Sequence, residues 1–522
     1  MMKKSAVRSG FYARLLSLIG LLVAMPAVTV FFYPNEARFL PSFLLPAGIF
    51  WIISLIMAVF GRKDTPPVGW RETLSNSSRI VLFAWCAGLT AGALPFFLSG
   101  QLDPIQALFE SVSGWTTTGL SVMDVSATPR IFLFHRSFMQ FCGGLGFILM
   151  MLLFVQGKQA MNLYSAEGHP DKLMPSLAKT AWTIFLMYLF FLTLGTVAYL
   201  LCGMPAFDSL LHAMCSLSTG GFSTQANSIA AYQSVGVEAV TIALMLIGTS
   251  NFAVLLLLIR RRFRRALRVS EVRFLFVLLL LAVPAVTASL YSALSMSVGE
   301  SVRASVFNVV SALSTTGYST MNYQDWPPFA VGMLIVLMLI GGGIGSTAGG
   351  LKLTRVYLLL RMMLHNIRQR IYPSRRVFAP SYYRAQGKSP IDAPLIGDTI
   401  GFAGCYLFLF LVGSLLLTLT EGCSLTDAMF EFASSLGTVG LSIGLTHPGT
   451  GAATLIVEMC GMLLGRLEIF IVFFGICSGI SGARHGLHRL LHQCAAKAAA
   501  GRKRKGKQPN DENHCRHRRS RV

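Results

Sequence analysis

The stretch SALSTTGYS, Ser311 to Ser319, decides the fold once it is set beside three others in the same chain. Ser113 to Ser121 reads SGWTTTGLS, Cys215 to Ser223 reads CSLSTGGFS, and Ser434 to Ser442 reads SSLGTVGLS. The four align without gaps. Each has threonine two residues before a glycine (Gly119, Gly221, Gly317, Gly440), then an apolar or aromatic residue, then serine. The match extends backwards: Ala107 to Glu110 (ALFE) lines up with Ala428 to Glu431 (AMFE), and Leu211-His212 and Phe307-Asn308 hold the same places. Repetition at this scale means one supersecondary unit used several times.

Working outward, each segment follows a short, less apolar helical stretch and lies between two long apolar runs. Only 13% of the 522 residues are charged, against about 25% in a soluble domain. The apolar runs reach about 20 residues, enough to cross about 30 Å of hydrocarbon. Two spans are expected at 12–33 and 40–60. The first span of each unit is expected near 78–98, 178–202, 273–297 and 394–420, the second near 131–156, 236–260, 329–363 and 452–480. The N-terminal apolar run from Leu15 to Tyr33 exceeds the 7–15 residues of a signal-peptide core and reads as the first of ten spans. The fold class is all-α and polytopic: an N-terminal two-span region (1–76), four span–pore-helix–filter–span units (77–160, 161–268, 269–376 and 377–484) in pseudo-fourfold arrangement, and a basic tail (485–522).

The net charge is +22, and most of the 44 Lys and Arg crowd residues 1–14, 61–79, 156–179, 260–273, 352–388 and 484–522. The stretches between hold acids such as Asp103, Asp124, Asp208, Glu300 and Asp325. By the positive-inside rule the basic stretches and both termini are cytoplasmic, so the basic excess calls for no nucleic acid. Arg260 to Arg265 (RRRFRR) and Arg502 to Lys507 (RKRKGK) suit anionic lipid or a docking subunit, and sequence does not separate the two. Most of the ten cysteines sit in apolar runs, where Cys acts as a small hydrophobe. His492, Cys494, His514, Cys515 and His517 in the tail fit no familiar zinc spacing, so no cofactor is expected. His135, His212 and His447 fall in three different units, with no paired-carboxylate or zinc motif, so no enzyme is expected and a multi-pass membrane enzyme is only a remote alternative.

A pore must replace the water shell of a cation with oxygens, and rings of backbone carbonyls from four loops do so. Aiming successive carbonyls at one axis needs backbone angles that alternate in hand, which glycine permits; threonine adds a hydroxyl. Irregular backbone at membrane depth is tolerated only when buried in protein or lining a water-filled cavity. The candidate ion-binding residues are therefore Thr117, Thr118, Gly119 and Leu120; Thr219, Gly220, Gly221 and Phe222; Thr315, Thr316, Gly317 and Tyr318; and Thr438, Val439, Gly440 and Leu441. The residue after each glycine is expected to pack outward. Glu110 and Glu431, nine residues before their glycines, read equally as cation-concentrating charges or as anchors of the pore helices.

With these residues in view the chain resembles the Trk/Ktr/HKT superfamily of cation transporters, and within it the bacterial Trk-type potassium-uptake subunits, over about residues 12–485. Besides the four segments, three blocks carry the resemblance: GGGIGSTAGGLK (Gly341 to Lys352), LLGRLEIF (Leu463 to Phe470) and AEGHPDKLMP (Ala166 to Pro175). It implies potassium uptake across a bacterial inner membrane, a homodimer with one pore per subunit, and control by a cytoplasmic ring protein with nucleotide-binding Rossmann domains. Glycine at all four filter positions, Gly119 included, goes in this family with potassium; a less selective channel passing sodium or ammonium is the alternative.

Six glycines within residues 341–350 (Gly341, Gly342, Gly343, Gly345, Gly349 and Gly350) should break the third unit's second span, since each costs a helix interior about 1 kcal/mol relative to alanine. With Ser346, Thr347 and Lys352 they form the expected gating loop. Ile344 is bulkier than the small residues the family carries there, which bears on the closed state and its leak. Arg466 lies within an apolar span, at a cost of roughly 2.5–3.5 kcal/mol. Glu468 points away around the helix and Glu458 is two turns up, so an acceptor in another segment is required: the carbonyls of the 341–350 loop, or a distant acid such as Glu431.

Overall fold

The computed structural model describes residues 10–60, 70–146, 177–371, 380–467, 469–470 and 472–477. The Ala166 to Pro175 block, Glu468 and the basic tail lie outside them. Helix α1 (Gly10–Ala24) and α2 (Leu40–Phe60) pair as an antiparallel hairpin. The turn between them begins at Pro26, and Ser54 Oγ donates to the Ala13 carbonyl at 2.6 Å.

Four units follow. Their first helices are α3 (Trp70–Leu98), α6 (Leu177–Leu201), α10 (Ser270–Ala293) and α14 (Ala393–Glu421). Their short helices are α4 (Pro104–Trp115), α7 (Ala206–Leu217), α11 (Val298–Leu313) and α15 (Leu425–Gly437). Each short helix opens on a sequence start signal. Asp103 and Gln106 form a capping box on α4, Pro205 precedes α7, Ser297 and Glu300 box α11, and Ser424 Oγ accepts the Asp427 N–H on α15. Such caps satisfy donors that helix starts leave orphaned. The Ser297 hydroxyl and N–H bonded to Glu300 hold that exposed carboxyl below its ordinary range.

The second helices are α5 (Arg130–Leu145), α8 (Val235–Thr249) with α9 (Phe252–Ile259), α12 (Pro328–Ile340) with α13 (Leu353–Ile371), and α16 (Ala452–Arg466). Here the expected continuous spans need correction. The break foreseen at Gly341 is present, but the other three also stop: α5 at Gly146 (φ 83°), α8 at Ser250 with a 114° bend into α9, and α16 at the extended Leu467. The reason lies in the partners of the freed backbone. Asn251 Oδ1 accepts the Ala253 N–H, and the Phe252 N–H donates to Gly345 O at 3.0 Å, so the break is sealed by the glycine-rich loop. In consequence, among the described residues six helices are long and apolar enough to cross a membrane, seven if the bent pair is one span. Another correction concerns the all-α expectation: Ser381–Arg384 (β1) and Gly387–Pro390 (β2) form an antiparallel hairpin, whose Tyr383 N–H donates to Ser270 Oγ on α10.

One apolar core joins the N-terminal hairpin to the first two units; another joins the third and fourth. Large apolar side chains remain exposed on the outer faces of α10 and α14 (Leu280, Leu281, Phe408, Leu415, Leu419). Water would oppose that pattern, whereas hydrocarbon accepts it.

Candidate functional site: four threonine–glycine loops and a glycine-rich plug

Each short helix delivers its chain into a loop of the same backbone shape. Thr117, Thr219, Thr315 and Thr438 all take left-handed φ of 50–57°, and the glycines two residues on take φ of 74–96°. The middle residue of each loop sends its N–H back to the carbonyl five residues earlier: Thr118 to Ser113, Gly220 to Cys215, Thr316 to Ser311 and Val439 to Ser434, at 2.8–3.0 Å. Left-handed φ is unfavourable for a β-branched residue, so four threonines share one strained geometry. The expected alternation of hand is present in all four loops.

The loops meet in cyclic order. A Cβ on Gly119 would collide with the Gly220 carbonyl oxygen, one on Gly221 with that of Thr316, one on Gly317 with that of Val439, and one on Gly440 with that of Thr118. Each glycine thus abuts the middle carbonyl of the next unit, and the fourth returns to the first. A cavity of ≈ 690 Å³ lined by Gly119, Gly221, Gly317 and Gly440 opens on the glycine side. The following residues, Leu120, Phe222, Tyr318 and Leu441, are buried as expected, and Tyr318 OH donates to Phe222 O at 3.0 Å.

The residue nine before each glycine ties the helix to the chain leaving the loop. Ser121 Oγ donates to Glu110 at 3.1 Å, Ser442 Oγ donates to Glu431 at 2.7 Å, His212 Nε2 pairs with Ser223 Oγ at 3.0 Å, and Asn308 Nδ2 donates to Thr320 Oγ1 at 3.0 Å. Glu110 and Glu431 are fully buried. Of their two readings, the structure supports the anchor. Arg136, which sequence reasoning passed over, lies 2.5 Å from Glu110 and stacks on Phe222 at 4.1 Å. An ionisable residue inside a span was the available signal.

The 341–350 loop sits on the threonine side, bonded to several units. The Gly349 N–H donates to Thr315 Oγ1 at 2.8 Å, Thr219 Oγ1 donates to Thr347 Oγ1 at 3.1 Å, and Thr347 Oγ1 donates to Gly248 O at 2.9 Å. The Gly343 and Thr347 N–H groups reach Thr249 O and Gly248 O. Gly349 lies so close to Thr438 Oγ1 and Gly437 O that a side chain has no room. Ser346 Oγ donates to Gly343 O, and Lys352 Nζ to Ala348 O. Gly341, Gly345 and Gly350 have φ of 69–76°, and Gly342 packs on Thr249.

Arg466 finds the acceptor expected of it: it donates to Thr347 O at 2.7 Å, and also to Gly143 O at 2.5 Å at the end of α5. Glu431 is not its partner. Glu271 on α10 was missed; it accepts the Ile344 N–H at 3.1 Å and the Thr354 hydroxyl. Thr117 Oγ1 and Thr438 Oγ1 are buried with no hydrogen-bond partner among the described residues, and no group of three or more His, Cys, Asp or Glu there could hold a metal.

Comparison with known proteins agrees with this architecture. A family model described as a cation transport protein matches residues 50–476. An uncharacterised cation transporter of Methanocaldococcus jannaschii is 30% identical over 465 residues, covering 88% of this chain and 92% of that protein. The Trk system potassium uptake protein TrkG of Escherichia coli is 31% identical over 476 residues, covering 87% and 94%. The crystal structure of the potassium transporter TrkH from Vibrio parahaemolyticus superposes with a TM-score of 0.78 at 26% identity, covering 90% of this chain and 98% of that one.

Proposed function

Because the chain belongs to the TrkH family of cation transport proteins, we propose that it takes up potassium across the inner membrane through the ring of threonine–glycine loops, with residues 341–350 as the gate. The cyclic contact of four loops of one backbone shape carries the reading. A ring of carbonyls can stand in for the water shell of a dehydrated monovalent cation.

Four short helices end just before the loops, and helix C-termini carry partial negative charge, roughly half an elementary charge each. That field favours a cation on the threonine side without any buried ionised group aimed at it. The orphaned hydroxyls of Thr117 and Thr438 offer further oxygen ligands there. The cavity on the glycine side serves as the outer vestibule, through which a hydrated ion reaches the ring. On the threonine side the loop occupies the exit, and Arg466 both holds it and places a positive charge beside the path.

The positive-inside pattern supports a cytoplasmic exit with both termini in the cytoplasm. The resemblance to Trk-type subunits supports a homodimer and a cytoplasmic nucleotide-binding ring protein as gate operator. The test is rubidium uptake into liposomes containing the purified protein, with potassium or sodium as competitor. Suppression by potassium alone is the expected result; equal suppression by both overturns the selectivity, and absence of flux with the loop's Arg466 clamp removed overturns the pore assignment.

A further inference from the structure

The ring is not uniform, and the exception is in the second unit. In the other three, a serine six residues before the glycine bonds the loop backbone. Ser113 Oγ accepts the Gly119 N–H at 3.0 Å, Ser434 Oγ accepts the Gly440 N–H at 2.9 Å, and Ser311 Oγ donates to Tyr318 O at 2.6 Å. The second unit has Cys215 at that place, a weak hydrogen-bonding group. The middle loop residue differs as well: Thr118, Thr316 and Val439 carry side chains, and Gly220 has none.

Gln140, fully buried on α5 of the first unit, fills the space beside Gly220 and bonds this loop's backbone at atoms of its own. Its Nε2 donates to Gly220 O at 2.6 Å and its Oε1 accepts the Phe222 N–H at 3.0 Å. The two bonds fix the orientation of the amide, since one backbone partner is an acceptor and the other a donor. A Cβ on Gly220 would run into this carboxamide. The side chain of one unit therefore stands in the space that the neighbouring unit leaves empty. Gly220 O is also one of the four ring carbonyls, the one against Gly119.

We infer that Gln140 is a positioning residue of the ion ring, which sets cation discrimination by bracing the Gly220 carbonyl and lowering the field it presents. The inference rests on the potassium-conduction reading above. Two consecutive glycines, Gly220 and Gly221, leave this loop the freest of the four. A carbonyl that already accepts a hydrogen bond presents a weaker field to a cation, and field strength and the number of carbonyl dipoles bear on potassium over sodium. Without the brace, the Gly220 carbonyl can swing to fit a smaller ion.

The experiment measures rubidium uptake with potassium or sodium as competitor, alongside thermal unfolding, for wild type, Gln140→Leu and the double variant Gln140→Ala/Gly220→Thr. In the double variant, a threonine at 220 would have Ser218 as hydroxyl neighbour, as Thr118 has Thr116 at 2.7 Å and Thr316 has Ser314 at 2.8 Å. Gln140→Leu is expected to conduct but to discriminate about fivefold less, the size of one net hydrogen bond; the double variant is expected to regain discrimination. A Gln140→Leu protein that discriminates as wild type does overturns the inference, whatever its melting temperature. Should Gln140→Leu fail to fold, the double variant decides: discrimination supports the inference, and conduction without discrimination overturns it. A wild type that itself fails to discriminate removes the potassium reading, and the inference with it.

Discussion

Replacing Arg466 with alanine isolates the hold of α16 on the 341–350 loop, the proposed gate. Among the described residues the guanidinium reaches Thr347 O in the loop and Gly143 O at the end of α5, and of these two bonds the one to Thr347 ties the loop. A hydrogen bond to a charged group contributes about 1.5–3 kcal/mol. Losing about 2 kcal/mol from the seated loop shifts the closed-to-open ratio roughly 30-fold, at 1.4 kcal/mol per tenfold. Removing a mid-membrane charge relieves its desolvation, so the fold is expected to survive. Rubidium uptake into liposomes should rise by about that factor for Arg466→Ala until open pores limit it. Potassium competition should be retained, because the ring is untouched. Arg466→Lys, a point charge without the planar fork, is expected between the two. An Arg466→Ala protein that unfolds at the wild-type temperature and conducts no faster refutes the clamp.

Three further outcomes are expected. Thr315→Val removes the acceptor of the Gly349 N–H and should raise flux about fivefold, the size of one net neutral hydrogen bond, whereas Thr117→Val, whose hydroxyl bonds nothing described, should leave gating unchanged and alter ion competition instead; equal effects would contradict the asymmetry. Gly221→Ala must fit a Cβ at φ 74° against Thr316 O, so potassium-dependent flux should disappear, and retention of normal flux would show that the loops are not in contact. Arg136→Leu leaves Glu110 buried without its cation, a change that typically costs 3–5 kcal/mol; the melting temperature in detergent should fall by several degrees, and Glu110→Gln added to it should recover part of the loss.

The repeat was legible because backbone geometry imposes itself locally: a loop that alternates in hand selects glycine, and four such loops leave four matching words in the sequence. The break at Gly341 was legible for the same reason. Arg466 was readable as a charge in need of an acceptor. What escaped depends on partners far along the chain. Gln140 is one polar residue in an apolar helix, and its meaning lies at Gly220 and Phe222, about 80 residues on. The break after Leu145 was announced by Gly143, Gly144 and Gly146 and went unread; those after Thr249 and Arg466 have no glycine run, and at Thr249 the break is sealed by Gly345. Glu271 looked like an ordinary acid at a helix start, and only the fold sets it against Ile344.

A ring assembled from one polypeptide differs from one assembled from identical chains in how it responds to change. In a homotetramer, any alteration at a ring position strikes four times at once. Here each quarter has its own codons, so Gly220, Val439 and the two threonines can differ while each glycine still abuts its neighbour. Selection can adjust such an aperture in steps of one quarter, keeping three sides intact while the fourth is tried.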